Sequence, residues 1–258
     1  MKLLKRYLSL HLKICLEYKS SFILTLIAQA LKVGAELMVV LSLFSKFKLF
    51  DKYDINVLLL AFSIFWVGFS FFEVFLRGWD QFDHLVVRGE FDTLLIRPRS
   101  LFLMVAGTEI DYQKMGELIV SFGLLIYSCV KVIGCFDILK ILLVIICVIA
   151  AVLFALSYFT IAAAISFKTV QGLEILNVFT YGARQMAQYP IDLFGKAIKN
   201  VFTFVIPVTF INYYPLKFIS GASNNFIYFL YPFAVLILFF ISRIIFKIGL
   251  RAYQGTGS

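Results

Sequence analysis

The stretch Ile138–Phe167 reads ILKILLVIICVIAAVLFALSYFTIAAAISF. It exceeds the ~20 apolar residues that a helix needs to cross the hydrocarbon core of a bilayer. It is the plainest of several such runs. Before it come Phe22–Phe44, Val57–Leu76 and the less clean Gly116–Ile133; after it come Leu173–Met186 and Phe226–Ile248. Between the last two lies Val201–Ile219, apolar but interrupted by Pro207 and Pro215. Lipid offers no partner to backbone N–H and C=O groups, so each run is expected to be helical, with its hydrogen bonds closed inside the segment. The expected fold is all-α and polytopic.

Composition agrees. Of 258 residues, 62% are hydrophobic and 15% are charged. A soluble domain is nearer half apolar and about a quarter charged, so an ordinary water-soluble enzyme is excluded. At ~20 residues each, the apolar content fills roughly six spans. Too little chain remains for a separate catalytic domain, which makes residues 1–258 a single transmembrane domain. The 30 Phe and 13 Tyr suit a lipid-facing surface with Tyr at headgroup level. The net charge of +9 is scattered between apolar runs, which points to membrane topology rather than to nucleic acid.

Topology follows from those charges. Lys2, Lys5, Arg6, Lys13 and Lys19 precede the first run, and Arg243, Lys247 and Arg251 lie at the C-terminal end. Arg77, Arg88, Arg97 and Arg99 follow the second run. The positive-inside rule puts all three groups in the cytoplasm. Two cytoplasmic termini need an even number of crossings, so six are expected, with Val201–Ile219 re-entrant. Lys46, Lys48 and Lys52 then fall outside and weaken the bias without reversing it. Ala28-Gln29-Ala30 has the form of a signal-peptidase site, but the apolar run continues past it, so the first span is expected to remain.

The chemistry that the chain lacks narrows its function. The four cysteines, at 15, 129, 135 and 147, show no C-x-x-C spacing, and the two histidines are His11 and His84. Neither a metal site nor a disulfide framework is visible. No span carries an Asp pair, and neither histidine falls in a span, so an intramembrane hydrolase finds no catalytic pair. A phosphate loop is also missing: Gly195-Lys196 is followed by Ala197, and Pro190 stands where the first Gly belongs. If the chain is energised, the ATPase is another polypeptide.

Five features remain. Leu4, Leu8, Leu12 and Leu16 recur at i+4 among basic residues, the pattern of an interfacial helix on the inner leaflet. Lys32 and Glu36 share a face of the first span. They form either an intramembrane polar pair on a translocation path or a self-satisfying ion pair. Cys147, Ala151, Ala155, Ala162 and Ser166 lie along one side of the fourth span, which suits close helix packing. The segment Arg77–Ser100 reads RGWDQFDHLVVRGEFDTLLIRPRS. In it Phe82, Leu85 and Val86 share one helix face that Gly89 can end. Apolar side chains on an exposed helix suggest a docking surface; a solvated connecting loop is the plainer alternative. Finally, Tyr189–Gly221 is apolar but punctuated by Pro190, Pro207, Asn212 and Pro215. Its Pro207, Asn212, Tyr213, Tyr214 and Pro215 read as an outer gate or as an interfacial loop with an aromatic belt.

Three stretches carry a family resemblance. Gly89-Glu90-Phe91-Asp92-Thr93-Leu94-Leu95-Ile96-Arg97-Pro98 resembles a G-x-x-D-x-x-L-x-R-P signature after the second span. Tyr189-Pro190-Ile191, with Pro207-Val208-Thr209-Phe210-Ile211-Asn212-Tyr213-Tyr214-Pro215, resembles a P-x-x-F-x-N-Y-Y-P pattern before the last span. The ending Tyr253-Gln254-Gly255-Thr256-Gly257-Ser258 resembles Tyr-x-x-x-Gly-Ser. Together they resemble the ABC-2-type ABC transporter permease family, in its roughly 260-residue bacterial branch. One departure is Thr209, where the family more often has a small apolar residue.

The resemblance implies a six-span exporter subunit of the bacterial inner membrane. It implies pairing with a second permease chain and with cytoplasmic ATPase subunits, which would hold the ATP and Mg. No cofactor is expected on this chain. The loop after span two would carry the coupling helix, with Phe82, Leu85 and Val86 docking on the ATPase. A membrane-embedded lipid-modifying enzyme and a non-transporting assembly factor are the alternatives.

Overall fold

The computed structural model describes residues 2–46, 54–134, 137–169, 172–223 and 225–253, without the side chains of 2–5 and 172–178. No strand occurs among the described residues. The helices are α1 (Lys2–Glu17), α2 (Lys19–Lys46), α3 (Ile55–Phe75), α4 (Phe82–Val87), α5 (Glu90–Leu95), α6 (Leu101–Thr108) and α7 (Met115–Ile133). They continue with α8 (Ile138–Ser166), α9 (Gly172–Met186), α10 (Lys196–Asn200), α11 (Thr209–Ile219), α12 (Ile227–Leu230) and α13 (Ala234–Ala252). Lys48, Lys52, Cys135 and the Gly255-Thr256-Gly257-Ser258 ending lie outside the described residues.

Among the described residues, five helical stretches are long and apolar enough to cross a membrane: Lys19–Lys46, Ile55–Phe75, Tyr112–Ile133, Ile138–Ser166 and Ile227–Ala252. A sixth is reached if Lys196–Val205 and Thr209–Ile219, bent by 102°, count as one span. The run expected over Leu173–Met186 forms α9, but its 15 residues rise only about 22 Å, short of a ~30 Å hydrocarbon core. Arg184 in its last turn interrupts the apolar pattern.

Asp caps start the two central helices. The Asp54 side chain accepts from the Asn56 amide at 2.8 Å, and Asp137 accepts from the Lys140 amide at 3.2 Å. Both satisfy donors that a helix start leaves open. Helix α3 is the most enclosed span: Phe62, Phe65, Trp66, Phe69 and Phe72 are all buried. It packs between α7 and α8; α2 lies against α7, and α13 and α9 against α8. The small-residue side of α8 allows this. A Cβ placed on Gly68 would lie 2.4 Å from that of Ala151, so only glycine lets α3 and α8 approach that closely.

The segment between α3 and α7 folds back on one end of the bundle as α4, α5 and α6. Gly89, at φ 69°, makes the left-handed turn from α4 to α5. Phe82 meets Phe91, Phe167 and Phe246 at centroid distances of 5.0, 5.3 and 5.7 Å. Phe91 meets Tyr253 at 5.2 Å. This aromatic knot fastens the α4–α5 elbow to the ends of α8 and α13.

Pro207 stands at the 102° bend, where a lost N–H and a fixed φ stop a helix. Pro215, by contrast, lies inside α11. A spanning segment tolerates it because neighbouring groups and packing compensate for the freed carbonyl.

Candidate functional site

Five charged side chains from α2, α3, α7, α9 and the turn before α7 converge inside the bundle. Arg184 Nη2 donates to Glu117 Oε2 at 2.7 Å and Nη1 to Glu73 Oε2 at 3.2 Å. Lys32 Nζ donates to Glu117 Oε1 at 3.0 Å. Lys114 Nζ donates to the same oxygen at 3.1 Å and lies 3.7 Å from Glu73 Oε1. The Arg184 guanidinium also lies 3.8 Å from the centre of the Trp66 ring, a cation–π contact that helps to compensate its burial.

This arrangement replaces the pairing expected from sequence. Lys32 and Glu36 do not bond each other: Lys32 reaches α7, and Glu36 Oε2 accepts from Gln185 Nε2 at 3.2 Å and Gln188 Nε2 at 3.1 Å. On a helix, i+4 neighbours are close, but a fully buried Glu117 without cations costs far more than a half-buried Glu36. Glu73, Lys114, Glu117 and Arg184 were missed as a group. Their signal was present, because three of them fall inside apolar runs where an ionisable residue is costly, ~2.5–3.5 kcal/mol at the bilayer centre. The sequence does not say that the three runs lie side by side.

A second polar region surrounds the proposed gate. Tyr213 Oη donates to Asp192, and Lys199 Nζ lies 2.8 Å from the other Asp192 oxygen. Burial pushes the Asp192 carboxyl upward, but these two bonds outweigh it and hold it below the ordinary range. Lys217 Nζ stands 4.2 Å over the Tyr213 ring. Tyr214 packs against Tyr228 and Tyr231 at 5.9 and 4.6 Å. Asn212 Nδ2 donates to the Ala187 carbonyl at 2.9 Å. Thr209 reaches back across the bend to Thr203 at 3.2 Å, which gives its hydroxyl a partner. Pro207 and Pro215 are both buried. A cavity of about 490 Å3 opens beside these residues, bounded by Asp54, Leu58, Tyr189, Asp192, Ser220 and Gly221, among others.

At the other end, Phe82, Leu85 and Val86 share a face as expected, but that face is turned inward. Phe82 is fully buried, and Leu85 and Val86 nearly so. They belong to the core, not to a free docking surface, because the ends of α8 and α13 supply the cover. The apolar side chains left outside on this elbow are Val87, Leu95 and Ile96, the last 84% exposed.

Among the described residues no cluster of His, Cys, Asp and Glu could hold a metal ion. Five long apolar helical stretches among the described residues, or six with the bent pair, are those of a polytopic membrane protein. A family model described as ABC-2 family transporter protein matches residues 30–257. The chain belongs to that family, and is thus of the class of membrane permease components of ABC transporters. No curated protein and no solved structure matches it.

Proposed function

We propose that this chain is the membrane-spanning subunit of an ATP-driven exporter in a bacterial inner membrane. It works with a second permease chain and with cytoplasmic ABC ATPase subunits that bind and hydrolyse ATP with Mg. The carrying observation is the aromatic knot. An elbow held at one bundle end by Phe82, Phe91, Phe167 and Phe246 passes a push on α4–α5 directly into α8 and α13. The ATPase contact lies on the outer side of the elbow, at Val87, Leu95 and Ile96, while Phe82, Leu85 and Val86 hold the lever together.

Six crossings are α2, α3, α7, α8, the short α9 and α13, with both termini cytoplasmic; the 15-residue α9 reaches across by local thinning of the bilayer. The bent pair is re-entrant on the outer side: Asp192 before it and Ser220 after it border the same cavity as Asp54 at the start of α3. Its Pro207, Asn212, Tyr213, Tyr214 and Pro215 gate that side. Helix α1 lies on the inner leaflet. Exposed Leu10, Ile14 and Leu16 suit lipid, while Tyr112 Oη ties it to the bundle through the Leu8 carbonyl at 3.1 Å.

The test is co-expression with an ABC ATPase, chosen from the genes neighbouring this one where they include such an ATPase. The expected result is a co-purifying complex with vanadate-sensitive ATP hydrolysis, and no hydrolysis by this chain alone. A chain that recruits no ATPase, or that releases phosphate by itself, overturns the reading.

A further inference from the structure

Arg243 is a cation inside a membrane-length helix to which the described residues give no anion. It lies nine residues before the end of α13, about 13 Å of rise, and so well within the stretch Ile227–Ala252. Its guanidinium has neither an ion pair nor a hydrogen bond among the described residues; it lies over the Phe102 ring of α6, 4.5 Å from the centroid. Other cations in the bundle are treated differently: Lys32, Lys114 and Arg184 share Glu73 and Glu117. A cation at membrane depth is costly unless something negative meets it. Arg243 is half-buried, so a partner can reach it from outside the bundle.

The neighbouring side chains select that partner. Leu236, Phe240, Arg243, Lys247 and Arg251 follow one another at steps of four, three, four and four, which makes them one ridge of the helix. Toward the bilayer centre the ridge is apolar and open, because Leu236 and Phe240 are exposed. Toward the helix end it is basic and open: Lys247 and Arg251 are exposed, and neither has a carboxylate partner among the described residues. The Phe102 ring holds the Arg243 guanidinium in place without using its N–H donors. They are left for the paired oxygens of a phosphate.

We infer that this ridge binds one anionic phospholipid, with its phosphate at Arg243 and Lys247 and an acyl chain along Phe240 and Leu236. A soluble anion would leave the two apolar side chains uncovered. A cytoplasmic protein would have to reach about 13 Å up the helix to meet Arg243. A lipid of the leaflet around the C-terminal half of α13 already stands at that depth, and clustered basic residues at a membrane surface favour its anionic members. The inference rests on α13 crossing a membrane and not on the exporter reading.

The full chain in detergent is given equal amounts of dioleoyl phosphatidylglycerol and dioleoyl phosphatidylcholine, and the lipid it retains is counted by native mass spectrometry. The expected result is one phosphatidylglycerol held in preference to phosphatidylcholine by about tenfold or more. Arg243→Gln and Lys247→Gln each lower that preference by about fivefold. Lys131→Gln removes the same charge from an exposed lysine of α7 and leaves the preference unchanged. Lys247 is exposed, so its variant reads the ridge even where Arg243→Gln does not fold. Equal retention of the two lipids overturns the site, as does an equal effect of Lys247→Gln and Lys131→Gln. Displacement of the lipid by an equal concentration of glycerol phosphate shows a site for free phosphate and overturns the lipid. Unchanged lipid retention with loss of the ATPase in Arg243→Gln makes the ridge a protein contact and also overturns it. Lipid preference in a chain that recruits no ATPase supports this site while the transporter reading falls; a recruited ATPase without lipid preference removes this site alone.

Discussion

Arg184 on α9 and Glu117 on α7 meet at 2.7 Å, with side chains 3% and 0% exposed. Neither charge has access to water, so each depends on the other and on the neighbouring Glu73, Lys32 and Lys114. The short α9 is thereby fixed to the α3–α7 layer by charge where its length gives it little apolar grip.

Removing one member of this cluster leaves an uncompensated charge in a dry site. Arg184→Met is expected to destabilise the chain by about 3–5 kcal/mol. The double substitution Arg184→Met with Glu73→Gln should recover part of that loss. Thermal unfolding in nanodiscs measures both; a double variant no more stable than the single one argues against the pairing.

The crossing of α3 and α8 depends on a missing side chain. Gly68→Ala places a Cβ 2.4 Å from that of Ala151 and should cost about 1–3 kcal/mol, the usual penalty of overpacking. Combining it with Ala151→Gly restores the room. Rescue of the unfolding midpoint by the second substitution is the expected outcome, and additive losses would contradict the contact.

The elbow separates folding from docking. Phe82→Asp buries a charge in the aromatic knot and should lower the yield of folded chain. Ile96→Asp, on an exposed side chain, should leave the chain folded while cutting recovery of the ATPase by about tenfold or more. Size-exclusion chromatography of the chain and co-purification of the ATPase read the two effects apart. Equal ATPase recovery with Ile96→Asp would move the docking surface elsewhere.

Asp80, beside the elbow, should make stability depend on pH. Burial pushes its carboxyl up from 3.8 to about 6, against the lowering pull of Arg77 and with Glu73 and Glu109 adding to the rise. A raised carboxylate favours the folded state when protonated. Its contribution is therefore fully present below the unfolded value and is lost as pH rises through about 6. Asp80→Asn should flatten the unfolding midpoint between pH ~4 and ~6 and raise it above that window. An unchanged profile would show that Asp80 is solvated.

Much of the architecture is legible along the chain. The runs at Val57–Leu76 and Ile138–Phe167 become α3 and α8 within a residue or two, because a spanning helix satisfies its own backbone and needs only length and apolarity. Gly89 ends α4 for an equally local reason, its left-handed φ. The small residues on α8 foretell close packing, since absent volume is written in the sequence. Tertiary structure alone decided which groups meet. The pattern at 82, 85 and 86 shows a shared face but not its direction, and Phe167 and Phe246, distant in sequence, turn it inward. The i+4 spacing of Lys32 and Glu36 suggests a pair, yet Glu117, buried and 85 residues away from Lys32, takes the lysine. Along the chain a charge can be judged only by its neighbours in sequence. Inside a bundle its energy is set by whichever opposite charge shares its low-dielectric pocket, and that is fixed by how the helices pack.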